Sequence, residues 1–189
     1  DCPVIGVIEP GAQAAIHCNK NGRIGIIGTK ATIASGAYTQ ALRAVDTSVE
    51  VYTRACPLFV PLVEEGWIEN EVAKATISIY LSSLRHSGID TLILGCTHYP
   101  LLKKSIASFL GPDVCLVDSA EETAKVVQHT LLSAGLTRKK GAGQASFFVT
   151  DEPDRFVKVG ARFLGHQVES AVRVESRVWS PGVKVQRFA

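Results

Sequence analysis

The sequence has no methionine among its 189 residues and begins at Asp1, so it contains no initiator residue. The expectation from this is a product truncated or processed on its N-terminal side. No apolar run approaches the ~18 residues that a membrane-spanning helix needs. No signal-peptide pattern is visible, which is uninformative where the N-terminal side is missing. No concentrated basic surface exists either: 20 Lys and Arg are scattered against 18 Asp and Glu, for a net charge of +2. The basic run Arg138, Lys139, Lys140 adjoins a Gly-containing loop and reads as solvated, whereas nucleic-acid binding needs a larger footprint. No nucleic-acid partner and no membrane are expected. Five cysteines, at 2, 18, 56, 96 and 115, form an odd set with no compact framework. They read as reduced thiols in an intracellular, cytoplasmic chain. No Cys-x-x-Cys and no second Cys/His pair at zinc spacing accompany Cys96 and His98, so no metal is expected.

Apolar residues make up 46% of the chain, enough for a sizeable core. Strand and helix patterns alternate along it. Residues 4–8, 23–27, 49–52, 91–94, 114–117 and 146–149 read as short apolar strands. Residues 29–45, 71–86, 101–109, 120–134 and 154–164 read as helices, with another short one opened by Pro57. Thr29 is a candidate N-cap. In the 71–86 helix, Ala73, Ile77, Tyr80, Leu81 and Leu84 fall on one face at helical spacing, and Gly88 ends it. From about Ser176 no element is assigned. Repeated βα units of this length imply an α/β fold with parallel sheets flanked by helices.

The segment from Asp90 to Leu102 carries the chemistry. A short apolar strand ends at Gly95. Cys96, Thr97 and His98 follow, and Pro100 opens the next helical pattern. In open α/β sheets, sites form beyond the carboxyl ends of strands. A thiol beside an imidazole there is placed for proton transfer or nucleophilic attack, although a free Cys can equally be a small buried hydrophobe. His98 and the helix beyond Pro100 would both favour the thiolate. Thr29 and Thr32, after the strand at 23–27, would present hydroxyls and helix N-terminal N–H groups to an anion. Glu64 reads by default as a solvated carboxylate with Glu65 as its neighbour. Asp118 reads as a structural N-cap, and Cys56 and Cys115 as core or supporting residues.

The string Gly95-Cys96-Thr97-His98-Tyr99-Pro100-Leu101-Leu102 resembles the second-cysteine motif of glutamate racemases, in the aspartate/glutamate racemase superfamily. Three further segments agree in order. They are residues 3–12 with Glu9-Pro10-Gly11-Ala12, residues 28–38 with Gly28-Thr29-Lys30-Ala31-Thr32, and residues 55–64 ending in Glu64. The family's N-terminal Asp-Ser-Gly and Cys-Asn-Thr motifs have no counterpart, so roughly the first third of the family's length is expected to be missing. The resemblance implies two similar α/β domains with the active site in the cleft between them. Residues 1–8 would end an incomplete first domain, 9–117 would form the second, and 118–189 would return to the first and carry the tail.

What the resemblance implies chemically is interconversion of L- and D-glutamate, without a cofactor, by two-base proton transfer at Cα. The D-glutamate would supply peptidoglycan. Cys96 would serve the L-enantiomer, assisted by His98 and Glu64. Thr29, Thr32, Thr97 and His98 would bind the substrate, and a homodimer is compatible with the family. The chain carries one of the two cysteines, so alone it is expected to be inactive. Rival readings are an aspartate racemase, a one-cysteine decarboxylase-like enzyme, an inactive fragment that binds a dicarboxylate or a protein partner, and a Cys-His hydrolase. The last would need an oxyanion hole and a group orienting the base, and no such pair is marked.

Overall fold

Ile24, Ile26, Ile27, Leu92, Ile93 and Leu94 are each at most 1% exposed, and they lie on two adjacent strands at the centre of one sheet. A strand covered on both faces cannot alternate apolar with polar, which is why both runs are continuously apolar. The architecture comes from a computed structural model that describes residues 3–138, 140–141 and 143–175. Its four-stranded sheet has the order β2-β1-β3-β4, formed by β1 (Arg23–Gly28), β2 (Glu50–Ala55), β3 (Thr91–Gly95) and β4 (Cys115–Asp118). All three pairings are parallel, and Gly28 stands level with Gly95 on one side and Ala55 on the other. This is the expected α/β class.

Side chains alternate between the two faces with the pleat. Ile24, Ile26, Ile93 and Val117 pack with Ala12 and Ala15 of α1 (Ile8–Cys18) and Tyr38 and Leu42 of α3 (Ala37–Val45). Ile27, Leu92 and Leu94 face the other way. They meet Phe59 and Val63 of α4 (Phe59–Glu65), Ile77 and Leu81 of α5 (Glu71–His86) and Ile106 of α6 (Lys103–Leu110). Each such fully buried side chain contributes roughly 1.5–3 kcal/mol. The helix expected at 71–86 forms over those residues, capped by Asn70, whose side chain accepts the Ala73 N–H at 2.9 Å. At the amino ends of the strands Asp90 accepts the Lys20 and Asn21 N–H groups at 2.9 and 2.8 Å. Burial would raise that carboxyl, but these and its other hydrogen bonds hold it below its ordinary value.

Three sequence expectations change. Residues 4–8 form no strand. Val4 and Val7 are exposed, and the chain enters α1 at Ile8. Apolar β-branched residues without a neighbouring strand leave their backbone groups to water. The Pro10-Gly11 pair that hides α1 in the sequence has a packing reason. Pro10 falls in the first helical turn, where it is tolerated, and a Cβ on Gly11 would stand 2.5 Å from Ser119 Oγ. The single helix expected over 29–45 is two, α2 (Lys30–Ser35) and α3, because Gly36 adopts φ 65° between them. The chain continues from β4 into α7 (Ser119–Ser133), which packs on α1. The first compact unit runs through Leu136.

The third change is redox. Cys18, closing α1, and Cys115, opening β4, form a disulfide with their Cα atoms 6.4 Å apart, so these two are not the reduced thiols expected. Their 97-residue separation conceals the pair in the sequence. Cys2 lies outside the described residues. The second unit, Thr137–Ala189, holds α8 (Pro153–Leu164) and a parallel pair, β5 (Phe148–Val149) with β6 (Val172–Arg173). Phe147 and Phe156 pack with ring centroids 5.6 Å apart, and Val168 is buried. The residues beyond 175, including the unassigned tail from Ser176, lie outside the described ones.

Closing so long a loop removes much of the unfolded chain's freedom. Cys115→Ser, or reduction of the native chain, is expected to lower unfolding stability by about 2–4 kcal/mol. Urea midpoints read by circular dichroism check this, and a midpoint indifferent to dithiothreitol in the native chain would contradict it.

Candidate active site

The order β2-β1-β3-β4 reverses direction between β1 and β3: from β1 the chain moves outward to β2, then returns to the other side of β1 as β3. In open parallel sheets the crevice beyond the strand ends at such a reversal is where ligands bind. Thr29 follows β1 there and Cys96 follows β3. Both strands end in glycine for steric reasons. A Cβ on Gly28 would meet the Thr32 side chain at 3.0 Å, and one on Gly95 would meet the Ile27 carbonyl oxygen at 2.8 Å and Tyr38 Cε2 at 3.0 Å. Tyr38 is itself fixed, its hydroxyl donating to Ser119 Oγ at 2.9 Å.

On the β1 side Thr29 caps α2. Its hydroxyl oxygen accepts the Thr32 N–H at 3.1 Å, and the two hydroxyls share a 2.9 Å hydrogen bond. Both threonines are half-buried. On the β3 side Cys96 is half-buried and Thr97 exposed. His98 Nδ1 lies 3.3 Å from Thr97 Oγ1, and its Nε2 lies 3.2 Å from Glu64 Oε1, with both side chains about one quarter exposed. Glu64 is thus distinguished from exposed Glu65, which lies one residue further along α4. The six candidate residues divide into a threonine pair after β1, a Cys-Thr-His turn after β3, and a glutamate brought to that turn by α4.

Cys96 does not ionise as readily as its surroundings suggested. Burial pushes its thiol up, while the backbone N–H groups of His98 and Tyr99 pull it down, and burial outweighs them. The group is therefore a thiol near neutrality, able to deliver a proton and, once ionised, held by two amide donors. Cys56 differs: it is fully buried, and burial pushes its thiol up to about 12. Among the described residues no group of three or more His, Cys, Asp or Glu side chains could hold a metal ion.

Sequence reasoning passed over Tyr99 and the Cys56 main chain. Tyr99 is fully buried and donates its hydroxyl to the Cys56 carbonyl at 2.9 Å. The available signal was its place in the Cys96–Pro100 string, where a large aromatic must either fill the core or face the site.

A switch-point cysteine with two amide donors, beside a histidine held by a glutamate, defines an α/β protein equipped for acid–base chemistry at a thiol. The chain belongs to the Asp/Glu/Hydantoin racemase family, whose pattern matches residues 1–127. It is 53% identical over 173 residues to the glutamate racemase of Geobacter metallireducens, covering 91% of this chain and 64% of that protein. It is 45% identical over 173 residues to that of Aquifex aeolicus, covering 92% and 64%. The chain therefore spans somewhat under two thirds of the length of these relatives. Its fold matches a crystal structure of a Bacillus anthracis glutamate racemase with a TM-score of 0.87 at 41% identity, over 93% of this chain and 66% of that one. It also matches the Francisella tularensis glutamate racemase in complex with D-glutamate, with a TM-score of 0.83 at 36% identity, over 92% and 64%.

Thiol labelling tests the contrast between Cys56 and Cys96, the two free cysteines among the described residues. With the Cys96 thiol raised, its labelling by iodoacetamide should rise with pH and reach its midpoint above the ~8.5 of a free cysteine. Cys56 should stay unlabelled in the folded chain well above that pH, and both should converge in urea. Peptide mass spectrometry reads the two sites, and equal labelling of Cys56 and Cys96 in the folded chain would contradict the burial argument.

Proposed function

We propose that this chain carries one catalytic half of a glutamate racemase that works without a cofactor, with Cys96 as the acid/base group serving the L-face of Cα. The observation that carries the reading is the alignment of Gly28 with Gly95, which puts the threonine pair and the thiol at adjacent strand ends beside the switch point. The family membership and the 53% identity to a glutamate racemase support it.

The α-proton of an amino acid is very weakly acidic, so its removal needs a base held against it and stabilisation of the developing charge. Cys96 in its thiolate form takes the proton from L-glutamate, its charge held by the His98 and Tyr99 amides. In its thiol form it returns a proton to the same face. Thr29, Thr32 and Thr97 bind the substrate carboxylates through hydroxyl donors, and His98, held by Glu64, orients the substrate and assists the thiol. Inversion needs a second acid/base group on the opposite face. That group belongs to a preceding part of the full-length protein, in keeping with the share of its relatives that this chain spans. In that protein residues 1–8 end a first domain, 9–117 form a second that bears Cys96, and 118–189 return to the first, with the site in the cleft between them. The D-glutamate formed serves peptidoglycan in the cytoplasm, and the enzyme is compatible with a homodimer. Among the described residues no helix is long and apolar enough to cross a membrane.

Incubation with L-glutamate in D2O separates the outcomes. The 189-residue chain alone is expected to give no sustained loss of optical rotation. The full-length protein is expected to racemise glutamate with incorporation of deuterium at Cα. Cys96→Ala in that protein should lose at least about a hundredfold in kcat, the usual contribution of a positioned acid/base group. A Cys96→Ser enzyme with undiminished turnover would refute the assignment.

A further inference from the structure

Tyr99 makes three contacts around the candidate site, and one of its partners adds a fourth link. Its backbone N–H donates to the Cys96 carbonyl at 3.1 Å, closing the turn that carries the thiol. Its hydroxyl donates to the Cys56 carbonyl at 2.9 Å. Its ring meets that of Phe59, the first residue of α4, edge to face, with centroids 5.2 Å apart and planes at 79°. The same α4 carries Glu64. The fourth link runs through Cys56, whose own N–H donates to the Gly28 carbonyl at 2.9 Å, immediately before Thr29. Phe59 N–H also donates to the Cys56 carbonyl, at 3.1 Å. One buried phenol thus joins the ends of β1, β2 and β3.

We propose that Tyr99 is the positioning residue of this site, setting Cys96 against Thr29 and Glu64 through its hydroxyl bond to Cys56 and its ring contact with Phe59. The inference rests on the reading of Cys96 as the acid/base group. An ordinary core aromatic needs only apolar neighbours. Tyr99 instead places a polar atom, in a fully buried position, on the carbonyl of Cys56, the residue whose own N–H bonds to the end of β1. Burial pushes its phenol far above the usual range, so it remains a neutral donor wherever the protein is folded. Positional accuracy of this kind matters, because an acid/base group displaced by about 1 Å can cost a hundredfold in rate.

Tyr99→Phe keeps the ring and leaves the Cys56 carbonyl with the Phe59 N–H, so the chain should fold, with a small loss of melting temperature. Release of the hydroxyl tie lets the 96–99 turn drift and weakens the amide contacts that favour the Cys96 thiolate. The pH midpoint for alkylation of Cys96 should rise by about half a unit, a roughly threefold lower rate at fixed pH below it. In the full-length protein kcat should fall about tenfold or more, with KM for glutamate little changed. Ile77→Val, a small core change on α5, should lower melting without moving the Cys96 profile. Should Tyr99→Phe not fold, Phe59→Leu keeps the hydroxyl bond, removes the ring contact and should move the profile the same way. A Cys96 profile and kcat unmoved in the folded variant, with only melting reduced, would overturn the positioning role. That result is distinct from failure of the Cys96 reading, in which Cys96→Ser retains turnover whatever happens at position 99.

Discussion

The register of β1 against its two neighbours is the constraint on which the rest depends. Gly28 stands level with Gly95 and Ala55, so three parallel strands end together. The loops that follow carry Thr29, the approach to α4 and Cys96. A one-residue slip of β1 would turn Ile24 and Ile26 to the wrong face and displace Thr29 by about 3.3 Å. Both ends of the sheet guard against that slip. At the amino ends Asp90 holds the Lys20 and Asn21 amides, and at the carboxyl ends the Cys56 N–H holds the Gly28 carbonyl. Glycine at positions 28 and 95 is part of the same constraint, because a side chain on either would collide with its neighbours.

The thiol shows how a fold can weigh two opposing effects at one atom. Taking Cys96 partly out of water disfavours its charge, and two amides favour it. The turn from Cys96 to Tyr99 supplies those amides at no conformational cost beyond its own formation, because the Tyr99 N–H to Cys96 carbonyl bond already fixes it. Burial wins, so the protonated form predominates near neutrality. In Cys56, a buried thiol without such donors, burial pushes the thiol up to about 12 although the Arg54 charge opposes it.

Much of this was legible in the sequence, for identifiable reasons. The α5 helix was found because Ala73, Ile77, Leu81 and Leu84 repeat at helical spacing and do form its buried face. The central strands were found because burial on both faces demands unbroken apolar runs. The Thr29 and Asp118 caps were found because capping is local chemistry. What escaped is non-local. The α1 helix was hidden by a Pro-Gly pair whose glycine answers to Ser119, more than a hundred residues away in the chain. The break at Gly36 depends on a left-handed backbone that no periodicity announces. The orientation of Glu64, as against Glu65, depends on where α4 meets the turn after β3. The Tyr99 hydroxyl finds its partner on a different strand end. Local rules identify elements, whereas the partners of buried polar atoms come from how those elements assemble.

The Cys18–Cys115 disulfide has a mechanical consequence. Every candidate site residue, from Thr29 to His98, lies in the interval between these two cysteines, as do β1, β2 and β3 in full. Tension arriving along the chain from before Cys18 and leaving beyond Cys115 is carried across by the sulfur–sulfur bond. The strands between are taken out of the load path. Stretching, fraying or tugging of the polypeptide outside that loop can peel α1 or β4, but it cannot draw Gly28 past Gly95.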